Sequence, residues 1–144
     1  MQKNCQMIRY YQEDTSFDLK QKLATRRWLK RVAETHLRRI GSINIIFCSD
    51  PYLLEVNKQF LHHSYYTDII TFDYCEGNVL SGDLFISVDS VRENASFYGV
   101  SFADELDRVM VHGLLHLIGF DDATDAQQAK MRQMENESLA MREK

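Results

Sequence analysis

The stretch VHGLLHLIGFDD, residues 111–122, carries two histidines and a carboxylate at spacings that suit a metal ion. Because successive residues of an α-helix are rotated by about 100°, His112 and His116 project from the same side of a helix. Gly119 is placed to end that helix in a left-handed conformation, after which the chain can turn back and bring Asp122 toward the imidazoles. Two imidazoles and one carboxylate form a catalytic zinc set that leaves a fourth position for water. We therefore predict that His112, His116 and Asp122 bind a metal ion.

The histidine pair alone is a weak signal for a metal. Two histidines at the edge of a buried helix face can also be satisfied by hydrogen bonds to the backbone. The glycine and the aspartate at fixed distances after His116 strengthen the metal interpretation. A metal ion bound in this way would lower the pKa of a bound water toward about 7, which is the chemistry of a hydrolase.

Gly113 stands where H-E-x-x-H metalloproteases carry the glutamate that acts as general base. A glycine in the middle of a helix costs about 1 kcal/mol relative to alanine, so it requires a structural reason. Two explanations are open: space beside the metal for a bulky substrate, or close packing of the helix. In either case, peptide hydrolysis by the usual route lacks its base.

The elements around this motif follow from hydrophobic periodicity and capping signals. The pattern predicts strands over about 7–11, 41–50, 65–74 and 83–91, with a loop at EGNVLSGD, and helices over about 18–38, 51–60, 91–99, 102–118 and 124–142. Asp18 is the expected cap of the first helix and Thr124 or Asp125 that of the last. This order predicts a sheet of about four strands with helices packed over it, in the α/β or α+β class.

Length and composition are those of one domain spanning residues 1–144. The chain has 144 residues, 44% hydrophobic and 26% charged, and shows no linker-like or repetitive segment. That length buries a core without disulfides, and Cys5, Cys48 and Cys75 are expected to be reduced, the last two in strands. The absence of a signal-like or membrane-length apolar segment predicts a cytoplasmic protein with no membrane partner.

The net charge of −4 argues against a protein coated in positive charge for nucleic acid. A local basic face is still possible. Lys20, Arg27, Arg31 and Arg38 share one side of the first predicted helix, where they could bind phosphates. The alternative, a solvated helix face, is the more common use of such a stripe.

Three segments resemble the YbeY family of bacterial metal-dependent endoribonucleases, the rRNA maturation factors. HGLLHLIGFDD is similar to that family's H-G-x-L-H-L-x-G-Y-D-H signature. VNKQFLHHSYYTDIITFDY (56–74) is similar to its L-N-x-x-[FY]-R-x-x-x-x-P-T-[DN]-V-L-S-F-P segment, and GDLFISVD (82–89) to its G-D-I-x-I-S-x-[DE] segment. Together they cover about residues 50–125 in the family's order.

The resemblance implies a single-domain α+β fold with a mixed sheet and a metal site at the end of a central helix. It implies one zinc-type ion per chain and hydrolysis of single-stranded RNA, in 3′-end maturation of small-subunit rRNA and ribosome quality control. The expected partners are single-stranded RNA and the ribosome or its small subunit, with no DNA. His112 and His116 match the first two family ligands. Other motif positions are matched by Asn57, Thr67, Asp68, Phe72, Gly82 and Asp83.

Two positions depart from the family pattern. Asp122 stands where the third ligand is usually histidine; Asp121 is the other candidate, but Asp122 has the matching offset of three residues from Gly119. Leu61 stands where the upstream segment usually has an arginine, a residue well suited to holding a phosphate. His62, His63 or the basic stripe could supply positive charge instead, although His63 also fits an ordinary surface residue.

Other residues are candidates for substrate binding or for support of the metal ligands. Tyr65, Tyr66 and Phe72 could stack bases or belong to the strand core, and Tyr65 is the best stacking candidate. Asp68 and Asp83 could orient ligands or line the cleft, or serve as cap and turn residues. We assign no general acid.

The leading hypothesis is a zinc-dependent endoribonuclease acting in rRNA processing. A second is another zinc hydrolase, a peptidase or amidase, which the glycine after His112 disfavours. A third is a non-catalytic ribosome-associated factor with a structural metal, which the loss of the family arginine at Leu61 favours.

Overall fold

The computed structural model describes residues 7–61 and 67–143, and its elements follow the predicted order. They are β1 (Met7–Glu13), α1 (Lys22–Thr35), β2 (Arg39–Cys48), α2 (Asp50–Val56), a π-helical turn (Asn57–Leu61), β3 (Ile69–Asp73), β4 (Val79–Ser87), α3 (Val88–Tyr98), α4 (Phe102–Ile118) and α5 (Asp125–Leu139). No helix in these described ranges is long and apolar enough to cross a membrane.

The four strands form one mixed sheet in the order β1-β2-β4-β3. β1 pairs with β2 in parallel, β2 with β4 in parallel, and β3 with β4 in antiparallel. Parallel neighbours require a crossover, which α1 provides between β1 and β2, whereas β3 and β4 are joined by a short hairpin connection. The predicted α+β fold with a four-stranded mixed sheet is confirmed.

Side chains on the two faces of the sheet belong to different apolar clusters. Ile86 and Ile69 lie in or against the main cluster, which also holds the buried side chains of α1, α3, α4 and α5. Their chain neighbours Phe85 and Ile70 belong to a second cluster under α2. Because successive side chains of a strand point to opposite faces, α4 and α2 cover opposite sides of the sheet.

Several predicted boundaries are wrong. The first helix begins at Lys22 after Gln21, which adopts a left-handed conformation, and Asp18 instead pairs with Lys22 at 2.9 Å. β4 begins at Val79, inside the segment predicted to be a loop, because its first residues pair with Arg39 and Ile40 of β2. Cys75 follows β3 rather than lying in a strand, whereas Cys48 lies buried in β2 as predicted.

The basic stripe of α1 is partly used within the protein. Arg31 donates to the Met141 carbonyl at 3.2 Å, and Arg38 donates to the Ile118 carbonyl at 3.2 Å. These bonds tie α1 and its following turn to the ends of α5 and α4. For these two arginines, a structural role replaces the proposed phosphate contact.

Helix α4 is the central helix, and its ends are fixed by local sequence. The Ser101 hydroxyl accepts a hydrogen bond from the Asp104 amide at 3.0 Å and caps the first turn. Gly119 ends the helix with φ 125°, and the amides of Gly119 and Phe120 donate to the Leu115 carbonyl. The predicted glycine stop with positive φ is confirmed, and it lets the chain turn back toward the helix.

Gly113 lies on the side of α4 that packs against the sheet. A Cβ atom at this position would lie 2.8 Å from Ile69 Cδ1 and 3.0 Å from Leu84 Cδ1. Both distances are shorter than ordinary van der Waals contact, so the absence of a side chain sets how closely α4 can approach β3 and β4. Of the two explanations that the sequence left open, close packing is the one that the structure supports.

Replacing Gly113 by leucine should lower the free energy of unfolding by about 1–3 kcal/mol, because the new side chain overpacks the interface between α4 and the sheet. Ala103→Leu is the matched control, since Ala103 is exposed on the same helix. Chemical denaturation of both variants measures the difference. Equal stabilities would contradict the close-packing explanation.

Candidate metal centre

Three side chains predicted as ligands converge at the end of α4. His112 Nε2 lies 3.3 Å and His116 Nε2 lies 3.4 Å from Asp122 Oδ2. The ligand atoms of the three residues all lie within 4.8 Å of one another. The helix places the imidazoles one turn apart, and the glycine stop returns Asp122 to them.

Two of the three donor separations agree with a tetrahedral transition-metal ion. Metal bonds of about 2.0–2.2 Å place neighbouring donors of a tetrahedron about 3.3–3.6 Å apart, which agrees with the two distances to Asp122 Oδ2. Two nitrogen donors and one carboxylate oxygen match the composition of open catalytic sites. The side chains of His112, His116 and Asp122 are 20%, 25% and 44% exposed, so the site is accessible from solvent.

A buried carboxylate on α5 holds His112 in place. Glu135 Oε2 lies 2.7 Å from His112 Nδ1, and its other oxygen accepts a hydrogen bond from Arg108 at 2.8 Å. Arg108 also donates to Asn136 Oδ1 at 3.0 Å. A hydrogen bond from Nδ1 to a carboxylate leaves Nε2 free to bind a metal, and Nε2 is the atom that faces Asp122.

The electrostatics of this pair favour a charged Glu135. Burial opposes ionisation of Glu135, but the hydrogen bonds from His112 and Arg108 outweigh it and lower the pKa of the carboxyl. Burial likewise opposes protonation of His112, but the hydrogen bond and charge of Glu135 raise the pKa of the imidazole. The negative charge at Glu135 therefore increases the electron-donating power of His112 as a ligand.

A cavity of about 460 Å³ opens directly in front of the three side chains. Its other walls are Asn57 at the start of the π-helical turn, Thr67 and Asp68 before β3, and residues Ile69, Ile70, Thr71 and Asp73 of β3. Pockets of this size accommodate small organic ligands or a nucleotide unit. The candidate metal site thus faces a space that a substrate can enter.

Asp68 is held beside the cluster by both its backbone and its side chain. Its carbonyl accepts a hydrogen bond from the Ser87 amide at 3.0 Å, and its Oδ2 accepts one from Asn94 Nδ2 at 3.4 Å. Burial raises the pKa of its carboxyl, while the nearby His112 opposes that rise.

Comparisons with a family model and with known proteins both match nearly the whole chain. Residues 7–143 match the family described as Endoribonuclease YbeY. Proteins named Endoribonuclease YbeY from Bacteroides thetaiotaomicron and Parabacteroides distasonis are each 50% identical to this chain. The first match covers 94% of this chain and 98% of the relative, and the second covers 93% and 94%. The chain belongs to the YbeY family.

A solved structure has the same fold. A Thermotoga maritima protein determined in solution is 27% identical and superposes with a TM-score of 0.67, covering 94% of this chain and 88% of that protein. The YbeY fold is therefore found here with the α4 motif at its centre.

Two other acidic residues predicted for the YbeY site, Asp83 and Asp121, lie outside the candidate ligand cluster. Asp83 accepts a hydrogen bond from Asn44 Nδ2 at 3.0 Å across β2 and β4. It shares the sheet face of Phe85, opposite α4, so the structure does not bring it to the cavity. Asp121 is exposed and lies outside the ligand cluster, which contains Asp122 instead.

The predictions for His63 and Tyr65 fall outside the described residues, as do those for His62 and Tyr66. Phe72 packs in the second cluster against Phe85, with ring centroids 5.8 Å apart, which agrees with its alternative as a strand-core residue.

Sequence reasoning missed Glu135 and Arg108 as supporting residues of this YbeY site. One signal was available: Glu135 lies on the same side of α5 as the buried Met131, Met134 and Ser138. A carboxylate on a buried helix face needs a partner. Its partner lies on another helix, and sequence spacing gives no measure of that distance.

Glu135→Gln should weaken metal binding by about 10–100-fold, the usual effect of losing a carboxylate that supports a histidine ligand. A chelator competition titration with zinc measures the affinity. Glu137→Gln is the matched control, because Glu137 is an exposed acid on the same helix that accepts a hydrogen bond from Gln133. Equal affinities for both variants would show that the contact with His112 does not support a ligand.

Proposed function

We propose that this protein is a metal-dependent endoribonuclease that cleaves single-stranded RNA in rRNA processing, including 3′-end maturation of small-subunit rRNA, and in ribosome quality control. The observation that carries the proposal is the cluster of His112, His116 and Asp122 facing an open cavity in a member of the YbeY family. Its expected partners are RNA and the ribosome or its small subunit, in the cytoplasm, with no DNA partner.

The ligand set supports one zinc ion per chain. When bound, such an ion supplies Lewis acidity toward a phosphoryl oxygen and a reactive water near neutral pH. His112, His116 and Asp122 would hold it, and Glu135 would keep the His112 ring oriented through its Nδ1 atom. Asp122 in place of the usual family histidine lowers the positive charge at the centre by about one unit.

The cavity in front of the cluster has polar groups that an RNA strand can contact. Its polar wall offers Asn57, Thr67 and Thr71, which can donate or accept hydrogen bonds from sugar and phosphate groups. Gly113 packs against the sheet and carries no general base for peptide hydrolysis. The solvent-accessible ligand cluster likewise supports a catalytic use over a purely structural metal.

Asp122→Asn should reduce cleavage of single-stranded RNA by at least about 100-fold, because an amide is a much weaker ligand than a carboxylate for a zinc-type ion. Asp121→Asn is the matched control and should cleave at nearly the parent rate, since Asp121 lies outside the cluster. Asp122→His, which restores the usual family ligand, should retain activity.

Cleavage is measured with zinc-loaded protein on a labelled precursor rRNA fragment, with peptide substrates run in parallel. Equal cleavage by parent and Asp122→Asn would indicate a contaminating nuclease and remove the support for the enzyme. Peptide hydrolysis without RNA cleavage would favour the peptidase alternative.

A further inference from the structure

A second cavity of about 440 Å³ adjoins the candidate metal centre. It shares Asp68, Ile69, His112 and Asp122 with the first cavity and extends from the start of β3 between the end of α3 and the faces of α4 and α5. A strand that passes the metal ligands in the first cavity would therefore continue into the second. This continuity is the first indication that the second cavity belongs to the path of a polymeric substrate.

An aromatic ring lines this cavity at the end of α3. Tyr98 is the last residue of α3, and it is 59% exposed although it is a large side chain. The chain turns at Gly99, with φ 68°, and Val100, also exposed at 44%, lines the same cavity. An exposed ring beside an apolar side chain provides a surface on which a base can stack.

The lining of the cavity includes a cationic side chain on α5, Arg132. Of the three arginines in its lining, Arg108 is bonded to Glu135 at 2.8 Å and Arg142 to Asp104 and Asp107 at 3.0 and 2.9 Å. Arg132 is exposed, and it makes no hydrogen bond or ion pair with any residue of the described ranges. Its guanidinium is therefore available for a phosphate.

The acidic groups of the cavity are offset in part by its arginines. Asp104 forms an ion pair with Arg142 at 3.0 Å. Glu105 is buried on α4; burial raises the pKa of its carboxyl, while the nearby Arg108 and Arg132 oppose that rise. The remaining acids, Asp68 and Asp122, line both cavities and lie on the side of the metal centre.

We propose that this second cavity is a nucleotide subsite for the RNA strand flanking the cleaved bond, in which Tyr98 stacks on a base and Arg132 contacts a phosphate. The subsite rests on the proposed ribonuclease function and names residues that would bind its substrate. It also supplies, from α5, positive charge that the chain lacks at Leu61, where the family usually has arginine.

Binding of a short fluorescein-labelled single-stranded RNA, measured by fluorescence anisotropy with chelator present, tests the subsite without cleavage. Tyr98→Ala should weaken binding by about fivefold or more, the usual effect of losing one stacked base. Arg132→Gln should reduce the slope of log affinity against log salt by about 0.7, the value for one phosphate contact on a single strand.

Each variant has a matched control elsewhere on the surface. Tyr11→Ala removes an exposed tyrosine from β1, at the far edge of the sheet, and Lys130→Gln makes the same charge change on α5 outside the cavity. Both controls should bind like the parent. Circular dichroism melting confirms that all four variants are folded.

The failure of the subsite is distinguishable from the failure of the proposed function. A zinc-loaded parent that cleaves RNA, with Tyr98→Ala and Arg132→Gln binding no differently from their controls, would overturn the subsite alone. A parent that does not cleave RNA but shows the predicted contrast in binding would overturn the enzyme and leave the subsite. A parent that does not bind the RNA would overturn the subsite directly.

Discussion

The close approach of α4 to β3 and β4 is the constraint on which the candidate site depends. Gly113 permits it, because any larger residue there would meet Ile69 and Leu84. Ile69 also lines the cavity in front of the candidate metal ligands, so the residue that contacts α4 at Gly113 is also a wall of that cavity. His112, the chain neighbour of Gly113, is thereby held at the edge of the buried face, where it reaches both the core and solvent. The glycine acts through packing rather than through chemistry.

Helix α5 fixes the other side of the centre. Glu135 connects it to α4 through His112 and Arg108, and Trp28 of α1 donates to the Ser138 carbonyl of α5 at 2.7 Å. The His112 ring is therefore oriented by a helix that is itself anchored to α1. A rigid support of this kind preorganises a ligand before the metal arrives, which reduces the ordering cost of binding.

The features that could be predicted from the sequence are those that depend on the spacing of residues close together in the chain. The order of elements, the extent of α4 at 102–118, the stop at Gly119 and the convergence of Asp122 on two histidines all follow from periodicity and backbone preference. The residues that depend on long-range pairing could not be read in this way. Val79 joins a strand because it pairs with Arg39 of β2. Asp83 faces away from the site because strand residues alternate between faces, and the partner of Glu135 lies on another helix.

The three candidate ligands lie within residues 112–122, and this proximity along the chain has a thermodynamic consequence. Loop-closure entropy grows with the number of residues between two contacts, so little entropy is lost when Asp122 is brought to the histidines. Because the three residues are close in sequence, some of them can also bind a metal ion together in the unfolded chain. Any metal affinity of the unfolded state reduces the stabilisation that the ion would give to the native state. The long-range contact of Glu135 with His112 exists only in the folded protein. It would therefore make the metal affinity of the folded state higher than that of the unfolded state.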